Sequence, residues 1–372
     1  MPTLKRLVVV SEHYPVAGDP IYTFVDELLV ALDALGVSIS VISPKNLTRT
    51  LVHGGGFAPR KWLRKTESGS FPVYQPRSLS VSKLSARLNR ALYRRAVKAG
   101  VRMANVTPDA YYAHFWPSGI ACALAAPQKP LFVACGESTV DPSLAPDVAA
   151  IRGHLRGVIC VSSKNRDECA QKFGIPRGDM IVLPNGINER RFHPLENRDA
   201  LRAALGIAPN DFVVAFVGWF RERKGVKRLE QALVGLPVKV IYIGSGDLTP
   251  TGDNIAFCGR VEHEKVPEYL ACADVFALPT LAEGCCNAIV EAMACGLPIV
   301  SSDLPFNDDI LTPENALRVD PRSVSQIRSA IETLLCDRDR ARAMGAQALL
   351  DARSLGVNQR AARIKAYIEE RL

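Results

Sequence analysis

Two successive series of short, largely apolar segments, each followed by a turn and a helix-length stretch, leave this chain few folds to choose from. Residues 7–10, 38–42, 110–113, 131–134 and 157–161 form the first series; residues 212–217, 240–243, 255–258, 275–278 and 299–301 form the second. Segments this short and this apolar read as parallel strands covered on both faces. Stretches between them, such as 21–35, carry helical periodicity. Strand and helix in alternation build a doubly wound sheet, so two series predict two α/β domains, each Rossmann-like. The Pro184-Asn185-Gly186 turn and the polar stretch 194–199 mark the linker. The expected domains are 1–190 and 191–357, with a helix-patterned end at 358–372.

With 372 residues, 48% of them hydrophobic, the chain has material for two cores. No apolar run reaches the ~18 residues needed to span a bilayer, and residues 7–10 are too few for a signal peptide, so a cytoplasmic location is expected. The ten cysteines are scattered without paired zinc spacing, several in apolar segments (Cys122, Cys160, Cys272). They read as reduced core thiols, with no disulfide and no structural zinc.

The chemistry concentrates between residues 273 and 300. A strand over 273–279 leads into a helix over 288–295, which Gly296 ends, with Pro298 beyond. Gly284, Cys285, Cys286 and Asn287 then form a strand-to-helix turn whose amides, with the positive end of the helix dipole, make an anion site suited to phosphate, with Asn287 as the expected N-cap. Glu283 falls at the carboxyl end of the strand, where open α/β sheets bind ligands, and Glu291 within the helix is placed to reach ribose hydroxyls. Thiols at a helix N-terminus beside cations acquire lowered pKa values. Cys285 or Cys286 is therefore expected to be reactive and protected by nucleotide, the other reading being that both pack inertly.

The run from Glu283 to Glu291, with the Gly296-Leu297-Pro298 strand entry, resembles the E-x7-E signature of retaining GT-B glycosyltransferases of family 4. Residues 211–225, 240–246, 254–261, 266–279 and on to 320 follow that family's C-terminal domain in order and spacing; 5–36, 108–119, 157–163 and 183–194 resemble its N-terminal domain more loosely. The resemblance implies a GT-B fold, two doubly wound Rossmann-like domains facing a central cleft that holds the reaction, with the helix 358–372 returning to the N-terminal, acceptor-binding domain. It also implies a donor site in the C-terminal domain. In Gly218-Trp219-Phe220-Arg221-Glu222-Arg223-Lys224-Gly225, Lys224 matches a cation that clamps the donor diphosphate, while Trp219 stands where the family usually has Arg. Arg223 is the expected replacement and Arg221 the second choice, because a departing diphosphate needs about two cations. Gly244 is expected to approach the nucleotide, and Arg260 and Val261 to contact the base edge.

In the first domain the pattern departs further from the family. Only Gly18 stands where paired glycines are usual, His114 retains one of two customary histidines, and Cys135 occupies the place of a His that touches the donor sugar. A thiol cannot supply that imidazole's charge or hydrogen bonds. Glu137, His114 or a different orientation of the sugar are the open substitutes.

Net charge is unevenly spread: 23 Lys+Arg face 13 Asp+Glu up to residue 185, and 23 face 25 beyond it. Between Arg60 and Arg102 lie twelve basic residues and one acid, Glu67. Helical spacing over 83–103 puts Lys83, Arg87, Arg90, Arg94, Lys98 and Arg102 on one arc, and Leu84, Leu88, Leu92, Ala99 and Met103 on the neighbouring one. Such a face is either solvated surface or a site for anionic membrane or a lipid-diphosphate acceptor. Nucleic acid is not expected, for the face lacks stacking aromatics.

The expected function is transfer of a hexose, with retention, from a UDP- or GDP-linked sugar to a membrane-associated glycolipid or polysaccharide acceptor. Glu283, Lys224 and Arg223 are the expected catalytic residues, and no metal or other cofactor is required. The alternatives are a nucleotide-sugar epimerase of the same fold and a catalytically silent protein that binds lipid or nucleotide sugar.

Overall fold

The computed structural model describes residues 2–16, 22–48, 59–80 and 86–372. The chain divides into two compact units, Met1–Leu183 with Asn358–Leu372, and Pro184–Val357. The linker turn at Pro184 thus opens the second unit.

The first unit holds an eight-stranded sheet. Its spatial order is Met180–Val182, Leu155–Cys160, Leu131–Cys135, Ala110–His114, Arg6–Ser11, Ser38–Ile42, Ser70–Tyr74 and Lys61–Lys65. All pairs are parallel except the last, which is antiparallel. The chain starts in the middle, grows toward one edge, then returns to grow toward the other. The reversal lies between Arg6–Ser11 and Ala110–His114, with Ser11 beside His114. One face is covered by the helices Ala86–Ala104, Trp116–Ala125 and Ser163–Phe173, whose residues share a core with Val8, Val10, Val133 and Val158. The C-terminal helix Val357–Glu369 belongs to the same unit. Its Tyr367 ring lies 6.1 Å from Phe132 and its hydroxyl donates to the Asp179 carbonyl at 2.7 Å. Gly157 is required there, since a Cβ would run into the Tyr367 ring.

The second unit repeats the plan with six parallel strands in the order Ile255–Gly259, Val238–Ile243, Phe212–Val217, Val275–Leu278, Ile299–Ser302 and Ala316–Val319. Here the reversal lies between Phe212–Val217 and Val275–Leu278. Ligands of such sheets bind outside the carboxyl ends of the strands where the order reverses. The loops that reach this point are the ones that carry Lys224 and Glu283.

Four strands of the two sheets lie outside the two apolar series, one of them Ser70–Tyr74, which pairs in parallel with Ser38–Ile42. Three of the five residues of Lys61–Lys65 are lysine or arginine, and the strand alternates exposed with half-buried positions, as suits an edge strand protected by charge. Met180–Val182 and Ala316–Val319 are short outer strands of their sheets. The basic helix also differs from its expected pattern. Arg87, Arg90, Arg94, Arg95, Lys98 and Arg102 are exposed, but the buried stripe is Ala96, Val97, Gly100 and Ala104, and Leu88 and Ala99 stay exposed among the arginines. Lys83 and Leu84 lie outside the described residues. No helix among the described residues is long and apolar enough to cross a membrane.

Candidate functional site

At the reversal point of the second sheet two loops meet through charge. The loop after Phe212–Val217 makes one 3-10 turn, Glu222–Lys224, and closes at Gly225 with φ +78, where a Cβ would strike the Pro279 carbonyl. Only glycine lets the two loops come this close. Backbone bonds seal the contact, since Leu281 N–H donates to the Arg223 carbonyl at 2.8 Å. Across it, Lys224 Nζ reaches Glu283 Oε1 at 2.6 Å, Thr280 Oγ1 reaches the same oxygen at 2.8 Å, and Arg223 Nη1 reaches it at 3.2 Å. Arg223 also donates to the Ala282 carbonyl. All three donors converge on Oε1, and Oε2 takes none of them.

Glu283 and Lys224 are nearly buried, their side chains 10% and 12% exposed, whereas Arg223 is 46% exposed. The Lys224 ammonium pKa is held above its ordinary value, burial pulling it down while the hydrogen-bonded carboxylate of Glu283 pushes it up, so the lysine stays charged. Two cations on one carboxylate leave a net positive charge at the turn that follows.

That turn leads into the helix Asn287–Ala294, with Cys286 rather than Asn287 at the N-cap. The Asn287 side chain is occupied elsewhere: its Oδ1 accepts from Asn185 Nδ2 at 2.7 Å, and the same amide donates to the Cys285 carbonyl at 3.2 Å. Gly296 ends the helix at φ +79. The expectation of a reactive thiol is corrected. Cys285 and Cys286 are both buried, and burial pushes the Cys286 thiol up to about 11 against the opposing pull of Lys224. Desolvation outweighs the helix terminus and the ammonium, so this thiol stays protonated at neutral pH.

Glu291 lies on the same helix, 9% exposed, and its Oε1 meets His263 Nε2 at 3.0 Å. Gly218 and Gly244 sit at the ends of adjacent strands with their backbones pressed together, because a Cβ on Gly244 would overlap the Gly218 carbonyl. Phe220 N–H donates to the Ser245 carbonyl at 2.9 Å and Gly244 N–H to Gly259 at 2.8 Å. These bonds stitch the three loops into one edge. Arg221 lays its guanidinium over the exposed Trp219 ring at 5.1 Å and does not join Lys224. Arg260 is exposed and Val261 half-buried beyond Gly259.

The residues expected in the first unit fare differently. Gly18 lies outside the described residues. His114 is at the reversal point but enclosed: its ring stands edge-on to Tyr112 at 5.0 Å, its Nε2 has no hydrogen-bond partner among the described residues, and burial with the charge of Arg360 holds its pKa down at about 3. It is a neutral core imidazole. Cys135 is corrected outright. Strand alternation turns it, with Leu131 and Val133, into the helix-covered core, where its sulfur lies 3.5 Å from Cys169. Glu137 has both oxygens engaged, by Trp116 N–H and its neighbour Gly136 N–H at 3.0 Å each, and so anchors the start of the helix Trp116–Ala125. Burial raises its pKa against those amides. Neither group is free to replace an imidazole. Sequence reasoning missed Thr280, Asn185, His263 and Arg191. Asn185 and Arg191 lie in the family-like stretch 183–194 but were given no role beyond the linker, and Thr280 and His263 stand beside motifs without belonging to them.

Comparison with known proteins agrees with this geometry. The family model for glycosyl transferases group 1 matches residues 197–350, and that for glycosyltransferase family 4 matches residues 22–191. A Bacillus subtilis glycosyltransferase assigned to teichuronic acid biosynthesis is 27% identical over 356 residues, 88% of each chain. A Mycobacterium tuberculosis GDP-mannose-dependent alpha-(1-6)-phosphatidylinositol monomannoside mannosyltransferase is 32% identical over 213 residues, 51% of this chain and 55% of that one. Among solved structures, a sucrose-phosphate synthase from Thermosynechococcus elongatus superposes with a TM-score of 0.80 at 20% identity over 98% of both chains. An Anabaena protein solved with UDP and glucose gives 0.75 at 18% identity, over 98% of this chain and all of that one. These likenesses show the fold, which is GT-B.

Of the ten cysteines eight are buried, Cys258 is half-buried and Cys336 is exposed. Brief treatment of the native protein with iodoacetamide at neutral pH is expected to label Cys336 first and to reach Cys285 and Cys286 only after unfolding. Peptide mapping checks this, and modification of the turn cysteines ahead of Cys336 would contradict their burial.

Proposed function

This chain belongs to the group 1 glycosyltransferases of family 4 type and is a hexosyltransferase; from that premise we propose that it moves a hexose, with retention, from a UDP- or GDP-linked sugar to a membrane-associated glycolipid or polysaccharide acceptor. The observation that carries the reading is the Lys224–Glu283–Arg223 cluster at the reversal point of the second sheet. In the proposed reaction the bond between the anomeric carbon and the diphosphate breaks, its electron pair leaving with the diphosphate, while an acceptor hydroxyl oxygen bonds to the same carbon on the same face and gives its proton to the departing diphosphate. Lys224, Arg223 and the amides of Gly284 to Asn287 stabilise that charge, supplying the cations a divalent metal would otherwise provide. Glu283 Oε2, which none of the three donors occupies, accepts from a sugar hydroxyl and offsets positive charge growing at the anomeric carbon. Glu291 holds the ribose. Gly218, Gly244, Arg260 and Val261 border the nucleotide. Relatives named for teichuronic acid biosynthesis and for a phosphatidylinositol monomannoside support a glycolipid or polysaccharide acceptor.

Lys224→Ala is expected to lower kcat/KM for the donor roughly ten- to a hundredfold, the loss of a charge-assisted contact of about 1.5 to 3 kcal/mol. The assay is nucleotide release from a panel of nucleotide sugars in the presence of membrane extract. EDTA is expected to leave the rate nearly unchanged; abolition by EDTA with recovery on added magnesium or manganese would refute a metal-free mechanism.

The exposed arginines of Ala86–Ala104, with Leu88 standing 45% exposed among them, support contact with an anionic membrane surface. Binding to vesicles of neutral lipid doped with phosphatidylglycerol is expected to grow with the anionic fraction, to weaken with salt as exposed charges are screened over ~8 Å, and to vanish when Arg87, Arg90 and Arg94 are changed to Glu. Equal binding to neutral and anionic vesicles, or binding to neither, would reduce the face to solvated surface.

A further inference from the structure

Glu291 does not stand alone on its helix. His263, in the 3-10 turn His263–Lys265 four residues beyond Gly259, places Nε2 at 3.0 Å from Glu291 Oε1. On the other side of the ring, Nδ1 lies 3.1 Å from Arg191 Nη1, and the Phe192 ring packs against the imidazole at 5.4 Å. Arg191 and Phe192 belong to a tight turn in which both amides donate to the Asn188 carbonyl. All of these residues lie in the second unit.

The chemistry of the partners sets the tautomer. A guanidinium N–H can only donate, so Nδ1 must accept, and the single proton of a neutral imidazole is therefore on Nε2, where it is donated to the carboxylate. A doubly protonated ring would set an N–H against an N–H at Arg191. The chain Arg191 to His263 to Glu291 thus runs in one direction and ends on Oε1, while Oε2 takes no donor from it. A carboxylate rotates freely unless one oxygen is held. Here one oxygen is held, and the other is left with its lone pairs for an incoming hydroxyl.

Resting on the reading of Glu291 as the ribose ligand, we propose that His263 is a positioning residue for the nucleotide ribose: it locks the Glu291 carboxylate in the orientation that receives the ribose hydroxyls, and Arg191 locks His263 in the tautomer that does so. The loop that follows Ile255–Gly259 and borders the base is thereby tied to the helix that grips the ribose. The nucleoside is recognised by one preorganised unit.

Calorimetric titration of UDP and GDP, and of their counterparts lacking both ribose hydroxyls, against wild type, His263→Ala and His263→Gln tests this. Wild type is expected to prefer the hydroxylated form of the nucleotide it binds. His263→Ala is expected to lose about tenfold in affinity for that form, the size of one hydrogen bond to a charged group, with little change for the dehydroxylated form. His263→Gln, whose side-chain amide offers an N–H toward Glu291, is expected to recover part of the preference. A general structural role would weaken both ligands alike, and that result overturns the proposal, as does a His263→Ala variant that keeps the full wild-type preference. If wild type binds neither nucleotide, or binds both forms equally, the ribose reading of Glu291 falls and takes this inference with it; loss confined to the histidine variants leaves that reading intact.

Discussion

The candidate donor site depends on a single buried ion pair. Lys224 and Glu283 come from loops after different strands, and each alone would be costly to bury, since an ion withdrawn from water loses several kcal/mol of hydration. Together, with Thr280 donating to the shared oxygen and Arg223 completing it at the surface, they satisfy one another at 2.6 to 3.2 Å. The pair fixes how the two loops meet, and the meeting fixes where the following turn and helix begin. The ion pair holds the cations in fixed positions, and fixed charges stabilise a departing anion without reorganisation cost.

Topology explains why the pair forms where it does. In the second sheet Phe212–Val217 lies next to Val275–Leu278 although the two are about sixty residues apart in sequence, so their carboxyl-end loops are neighbours and come into contact. The same plan in the first unit brings Ser11 beside His114, but there the strand-end polar groups are enclosed: His114 is buried and neutral, Cys135 faces the core, and Glu137 anchors a helix. Two sheets of one design thus present different chemistry. The second offers paired charge, and the first an aromatic edge built around Tyr22, Phe24 and Phe115.

The apolar strand runs and the glycine turns after them were legible in the sequence because they obey local rules, and those rules put Lys224 and Glu283 in loops after strands and Glu291 on the helix that follows. Parity was not legible. In a strand covered on both faces every residue is apolar, so nothing in Leu131-Phe132-Val133-Ala134-Cys135 tells which alternate set faces the helices, and Cys135 was assigned to a ligand edge it does not face. The Lys61–Lys65 edge strand escaped notice because its charges are what protect it. Asn185, Thr280, His263 and Arg191 act only through tertiary contacts, the first across a hundred residues of sequence, and no local pattern marks them. The thiol pair shows a balance that sequence cannot weigh, in which burial outweighs a helix terminus and an ammonium.

The coupling of Lys224 to Glu283 is most directly measured by a double-mutant cycle. Nucleoside diphosphate affinity and kcat would be compared for Lys224→Met, Glu283→Gln and the double variant. Because each residue holds the other in place, the double variant is predicted to be no worse than the poorer single variant, a coupling of about 1 kcal/mol or more. Strictly additive losses would mean that the two act independently and would contradict a site organised by their ion pair.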